Sequence, residues 1–189
     1  MRIVGGRLRG RALAAPKSSS IRPTADRLRE ALFNILQHAY GDPAADARVL
    51  DLFAGTGALG LEALSRGARF ALLIDDAADA RALMRDNVTA LGLGGAARIF
   101  RRDATALGDV HPLEPFGLAF LDPPYRQGLA ARALVSARAG KWLLPDALVV
   151  VEEAVQAAFI SPEGFAEIER RRYDDTELIF LRSSSHSVE

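Results

Sequence analysis

Cysteine is absent from the 189 residues, which excludes disulfide scaffolds, thiolate zinc sites and cysteine nucleophiles. Histidine occurs at only three scattered positions, His38, His111 and His186, so no metal centre is expected. No apolar run approaches the roughly 18 residues of a membrane span. The opening Met1-Arg2-Ile3-Val4-Gly5-Gly6-Arg7 lacks the apolar stretch of a signal peptide, and the cytoplasm is the expected compartment. No spare apolar stripe is evident, which favours a monomer. Lysine is scarce too: 22 of the 24 basic residues are Arg, which together with the abundance of alanine is read as compositional bias.

What is present is the composition of a folded chain. Hydrophobic residues make up 49% and charged residues 25%, ordinary for a globular protein with a real core. The net charge is zero but unevenly placed. Residues 1–30 carry seven Arg and one Lys against Asp26 and Glu30, a local net of +6, and the remaining residues carry the compensating −6. Such asymmetry suggests that the N-terminal end meets a polyanion, with a solvated basic tail as the alternative.

Residues 1–15 hold two short extended stretches, Arg2–Val4 and Arg11–Ala14, around glycines, which reads as a small hairpin with arginines on its turn and edge. Pro16 to Pro23 reads as a polar loop. Thr24 is placed to cap a helix over about 24–39, in which Leu28, Ala31, Leu32, Ile35, Leu36 and Ala39 recur at helical spacing. From residue 48 the pattern changes to strands alternating with helices. Arg48–Phe53, Phe70–Ile74, Ala97–Phe100, Gly117–Leu121 and Ala147–Val151 read as strands, and Ala58–Ser65, Ala77–Leu91 and Leu129–Ala139 as helices. Phe165–Tyr173 and Thr176–Arg182 read as a closing antiparallel hairpin at one edge of the sheet, and Ser183–Glu189 as a frayed tail. The alternation implies right-handed crossovers and a mainly parallel sheet covered on both faces.

Asp51-Leu52-Phe53-Ala54-Gly55-Thr56-Gly57-Ala58-Leu59-Gly60 carries the first chemical content. Gly55, Gly57 and Gly60 form G-x-G-x-x-G where a strand hands over to a helix, so a ligand can lie directly against the backbone. Asp75, 20 residues after Gly55, ends the next strand, where a carboxylate can accept from both ribose hydroxyls. A nucleoside cofactor is implied, with a merely structural turn as the alternative. Asp51 separates the two cofactor classes that use such a loop. A carboxylate there would repel a pyrophosphate and attract the cationic amino-acid end of S-adenosylmethionine. Asp51, Asp75, Asp103 and Asp122 are all expected at carboxyl ends of strands, where the crevice of a doubly wound sheet lies, although each alone could be a helix N-cap.

Leu121-Asp122-Pro123-Pro124-Tyr125 follows the fourth strand. Consecutive prolines extend the backbone and remove two N–H donors. The Asp122 carboxylate and the Pro123 carbonyl can then converge as acceptors on an exocyclic amine, turning its lone pair toward an electrophile, while Tyr125 offers a face for a planar base.

The D-x-F-x-G-x-G loop combined with D-P-P-Y resembles the Rossmann-like S-adenosylmethionine-dependent methyltransferases of exocyclic or amide nitrogens. Three further segments narrow the resemblance to the RsmD family: Ile3-Val4-Gly5-Gly6-Arg7-Leu8-Arg9-Gly10-Arg11, then Arg22-Pro23-Thr24-Ala25-Asp26-Arg27 running into Arg29-Glu30-Ala31-Leu32-Phe33-Asn34, and Gly57 to Gly67. Members of that family methylate N2 of one guanine in bacterial 16S ribosomal RNA, a guanine 966 type site. The resemblance spans residue 1 to about 182.

It implies a class I methyltransferase fold, with a mainly parallel seven-stranded sheet and an antiparallel C-terminal hairpin. A basic RNA-binding extension would occupy residues 1–40, the methyltransferase domain 41–182 and a tail 183–189. Asp51, Phe53, Ala54, Gly55, Thr56, Gly57, Asp75, Asp103 and Ala104 would hold S-adenosylmethionine, with Asp75 on the ribose and Asp103 at the adenine amino group. Asp122, Pro123, Pro124 and Tyr125 would hold the guanine. Arg7, Arg9, Arg11, Arg22, Thr24 and Arg27 would contact RNA, within a small-subunit particle or an assembly intermediate. Asp75 stands where many relatives have glutamate, and Asp174 where many have glycine. Rival readings are an amino-methyltransferase of DNA adenine or of a protein amide, a nucleotide-dependent oxidoreductase, and a non-catalytic RNA-binding protein that kept the fold.

Overall fold

The computed structural model describes residues 1–16, 23–124 and 127–184, without the side chains of residues 23–25. Seven strands are described: β1 (Arg48–Leu52), β2 (Phe70–Asp75), β3 (Ala97–Arg101), β4 (Phe116–Leu121), β5 (Leu143–Ala154), β6 (Phe165–Tyr173) and β7 (Thr176–Ser183). The helices are α1 (Pro23–Ala39), α2 (Ala58–Ser65), α3 (Ala78–Leu91) and α4 (Leu129–Ala139). The strands form one sheet in the order β3-β2-β1-β4-β5-β7-β6. The first five run parallel, and β7 pairs antiparallel with both β5 and β6. The order reverses direction between β1 and β4, which opens a crevice at the carboxyl ends of those two strands.

Burial on both faces explains why the strands are nearly continuous apolar runs. Side chains alternate across the sheet. Val49, Leu73, Phe120 and Val150 pack beneath α1, α2 and α3, while Leu50, Leu72, Leu121 and Val151 pack beneath α4 and around Trp142. Ile3 and Leu13 join the first group, as do Leu32, Phe33 and Leu36 of α1, so residues 1–16 and α1 share one core with the sheet. Tyr40, just past α1, stacks on Phe180 at 5.1 Å and donates to Glu169. That ties α1 to the terminal hairpin.

Four details differ from the sequence expectations. The N-terminal hairpin narrows to the single bridge Arg2–Ala12, with Ile3, Gly10 and Leu13 N–H bonding across it, while the protein body claims two of its donors: Val4 N–H donates to Glu62 and Leu8 N–H to Ser65. A side chain on Gly6 would overlap the Ser65 carbonyl, so the segment lies there with no room for a Cβ. Helix α1 already includes Pro23, so Thr24 lies inside its first turn rather than ahead of it. Proline suits that turn, where its missing N–H costs nothing. Strand β5 is longer than Ala147–Val151, continuing through Pro145 and Asp146 with a register shift against β4. Ser183 closes β7 instead of opening the tail. Its hydroxyl accepts from Ala147 N and donates to Leu144 O, satisfying backbone groups at the irregular part of β5. Asp174 turns the β6–β7 hairpin at φ +54°, a left-handed geometry that aspartate tolerates and glycine fits without strain.

Candidate active site

The residues after β1 build the site. Phe53 takes φ +60°, a costly conformation for an aromatic residue and one that concentrates at functional sites. Ala54 N then donates to Ile74 O at 3.0 Å, and Gly55 N donates to the Asp75 carboxylate at 2.9 Å. The other oxygen of Asp75 accepts from Ala77 N at 2.9 Å. Asp75 thus clamps the glycine loop to the end of β2 and keeps lone pairs for further donors. Asp51 lies inside β1, 1% exposed, and accepts from Gly60 N at 2.9 Å. A Cβ on Gly60 would overlap the Leu73 side chain. The third glycine therefore lets α2 approach the strands closely enough for that bond.

Two cavities meet at this loop. One, of about 320 Å³, is lined by the loop residues Phe53–Thr56, by Leu28, Arg29 and Leu32 of α1, and by Asp51, Asp122 and Glu152. The second, of about 470 Å³, is lined by Phe53, Asp75, Asp76, Ala77, Asp122, Pro123 and Pro124. Phe53 and Asp122 belong to both, so an elongated ligand can run along the glycine loop from one to the other.

The electrostatics are acidic. Burial pushes the Asp51 carboxyl up to about 7, against the lowering effect of the Gly60 N–H and with a further push from Asp75. The Asp122 carboxyl is also raised well above the usual carboxylate range, by removal from water and then by the charges of Glu152, Asp51 and Glu153. Asp122 keeps an exposed face, so its desolvation is incomplete and the neighbouring carboxylates are the firmer cause. Among the described residues, the one basic side chain lining the first cavity, Arg29, is committed elsewhere. Its guanidinium donates to Asp26, to Glu62 and to the Arg2 carbonyl. Such a cavity favours a cation and disfavours a pyrophosphate.

Asp51 gives a pH signature. Below about pH 4 it is protonated in the folded and unfolded chain alike. As pH rises toward 7 only the unfolded chain ionises it, so the folded state loses stability across that window. Asp51→Asn keeps an acceptor for Gly60 N and does not titrate. The Tm difference between this variant and the parent is expected to grow in the variant's favour from pH 5 to pH 8. A difference that stays constant with pH overturns the assignment.

The expected site residues are only partly brought together. Asp51, Phe53, Ala54, Gly55, Thr56, Asp75, Asp122, Pro123 and Pro124 line the two cavities. Gly57 instead turns into α2 against Leu61, Leu73 and Met84. Asp103 lies two residues past β3 and lines neither cavity. Its carboxylate accepts from the backbone and hydroxyl of Thr105, and those bonds hold it below the usual carboxylate range. Ala104 is buried in the core beneath it. Arg7, Arg9, Arg11 and Arg27 are exposed, and Arg11 donates to Ala90 O. Tyr125, Arg22 and the side chain of Thr24 lie outside the described residues. Among the described residues no group of His, Asp and Glu could hold a metal ion, and no helix is long and apolar enough to cross a membrane.

Sequence reasoning missed three residues at this site. Glu152 reaches the first cavity from β5. Glu62, wholly buried on α2, accepts from Val4 N, Arg29 and Arg66. Asn87 of α3, 1% exposed, donates to Thr56 O and exchanges hydrogen bonds with the backbone of Ala14. It thereby joins the glycine loop to the basic N-terminal segment. The signal for the last two was a polar residue on an otherwise buried helix face, which has no single partner readable from sequence.

Known proteins match this arrangement along most of the chain. The family model described as conserved hypothetical protein 95 covers residues 1–182. Ribosomal RNA small subunit methyltransferase D of Escherichia coli K12 is 42% identical over 157 residues, 82% of this chain and 76% of that protein. The solved structure of yhhF from Escherichia coli superposes with a TM-score of 0.82 at 32% identity, covering 98% of this chain and 99% of that one. SMU.776, a structure in complex with SAH, shares the fold at a TM-score of 0.59 and 16% identity, covering 83% of this chain and 48% of that one. With the family model matched from residue 1 to residue 182 and 42% identity over 82% of the chain, the chain belongs to the family of ribosomal RNA small subunit methyltransferase D.

Proposed function

We propose that this protein transfers a methyl group from S-adenosylmethionine to the exocyclic N2 of one guanine in 16S ribosomal RNA, presented in a small-subunit particle or an assembly intermediate. The observation that carries the reading is the meeting of two cavities at Asp122, directly ahead of two prolines that offer no N–H. The residues present fit the cofactor. Asp51 and the backbone of Ala54–Gly57 would face its cationic amino-acid end, and Asp75 its ribose. The acidic lining disfavours a dinucleotide. When bound, S-adenosylmethionine supplies a methyl group on a sulfonium, already activated for displacement.

The chain's own work is then positioning and charge stabilisation. The Asp122 carboxylate and the Pro123 carbonyl would accept the two N2 hydrogens. That holds the amine so that its lone pair points away from the base plane, and Asp122 stabilises the positive charge that develops on nitrogen. Tyr125 would stack on the base, which must be splayed from its RNA loop to enter. Asp103 would reach the adenine amino group only if its Thr105 bonds rearrange or its second oxygen turns. Arg7, Arg9, Arg11, Arg22, Thr24 and Arg27 would contact the RNA, with the basic extension of residues 1–40 packed on the methyltransferase domain at 41–182.

Labelled methyl transfer tests the reading, with naked 16S RNA, unmodified small-subunit particles and duplex DNA offered separately and the products digested to nucleosides. Label is expected as N2-methylguanosine at one site in an RNA substrate. Label on DNA adenine, or no transfer to any of the three, overturns it.

A further inference from the structure

Beyond Asp51 and Asp122, the first cavity carries a third acidic side chain, Glu152, that the resemblance does not account for. Strands β4 and β5 run parallel with Phe120 opposite Val150 and Leu121 opposite Val151. Asp122, just past the end of β4, and Glu152 of β5 each follow by one residue, where the two neighbouring segments leave a paired stretch of strands whose backbones lie about 4.8 Å apart. Phe120 and Val150 both enter the core on the α1–α3 face. Glu152, two residues beyond Val150 in β5, returns to that face, and Asp122, the first residue past β4, lines the same cavity beside it.

We infer that Glu152 sets the base specificity of the site, its carboxylate accepting the N1–H of the target guanine while Asp122 holds the neighbouring N2 amine. The inference rests on the guanine-N2 reading above. With the donors of a bound base facing them, two adjacent ionised carboxylates would present acceptors only, and Arg29, the basic side chain of the same cavity among the described residues, is engaged with Asp26, Glu62 and Arg2. Guanine offers matching adjacent donors, N1–H and the N2 amine. Adenine and cytosine each offer an amine beside a bare ring nitrogen, whose lone pair would face a carboxylate. An acceptor left against an acceptor in a desolvated cleft is costly, which makes the pair selective as well as attractive.

The test compares guanine with 2-aminopurine at the target position of the RNA substrate. 2-Aminopurine keeps the N2 amine but has a bare N1. The unmodified protein is expected to lose about 100-fold in kcat/KM on 2-aminopurine. E152Q, whose amide can donate to N1, is expected to bring the two substrates within about tenfold of each other, chiefly by losing rate on guanine. E152A removes the acceptor and is expected to narrow the ratio as well, which covers the case that E152Q does not fold. A loss of rate from a merely structural defect would lower both substrates together. An unchanged guanine to 2-aminopurine ratio in the folded variants overturns the role of Glu152 while leaving guanine-N2 methylation standing. Failure of the unmodified protein to form N2-methylguanosine overturns both.

Discussion

Replacing Asp122 with alanine is expected to lower methyl transfer by about 10²–10³-fold, the usual cost of removing one group aimed at charge that develops in a transition state. Affinity for S-adenosylmethionine should change by less than about tenfold, because the Asp51 and Asp75 carboxylates and the backbone of the glycine loop remain. Stability should move the other way. The Asp122 carboxyl is held well above its ordinary range, by desolvation and by Glu152, Asp51 and Glu153. Its ionisation therefore opposes folding as pH rises, and removing it relieves repulsion at neutral pH. A Tm at pH 7.5 equal to or above that of the parent, beside collapsed turnover and retained cofactor binding by calorimetry, is the expected result. Parent-like turnover would remove Asp122 from the chemistry. A stability gain without functional loss would make it an unhelpful charge and nothing more. Asp122→Asn is the milder test, since it keeps an acceptor for the amine but gives up the charge.

Glu62→Ala is expected to cost about 3–5 kcal/mol, the range for removing one partner of a buried ion pair. For a chain of this length that is on the order of 10 °C in Tm. Glu62 has no solvent exposure. Its two oxygens take Arg66 Nε at 2.8 Å, Val4 N at 2.9 Å and Arg29 Nε at 3.5 Å. Its loss leaves a buried guanidinium short of charge and a backbone donor unpaired, and it releases the N-terminal segment from α2. Limited proteolysis should then cut within residues 1–16 before the rest of the chain. Pairing Glu62→Leu with Arg29→Met should recover much of the stability, since a buried pair and an apolar replacement of similar volume are often close in energy. A Glu62→Ala variant within about 1 kcal/mol of the parent would show that water replaces the carboxylate, and Glu62 would lose its structural role.

The legible part of this protein is the part decided within a few residues of chain. Strands β1, β2, β4 and β7 announce themselves as apolar runs because both sheet faces are covered. Helices α2 and α4 begin and end where the sequence places them, because glycine stands at each N-cap and periodic apolar residues fill the turns between. The glycine loop and Asp122-Pro123-Pro124 are equally local, since their chemistry lies in missing side chains and missing N–H groups. The pairing of these segments was not local. Asp122 and Glu152 become neighbours only through the register of two parallel strands. Glu62 meets Val4 across 58 residues, and Asn87 meets Ala14 across 73. The same limit applies to Asp103: its position after β3 nominates it for the cofactor, and only the structure shows that one of its oxygens also caps Thr105. Sequence alone thus determined which segments line the candidate site, because backbone preference and hydrophobic period act over a few residues. Only the tertiary structure decided which polar side chains meet and which acids share a cavity, because burial and the energy of a charge depend on neighbours that the chain order does not contain.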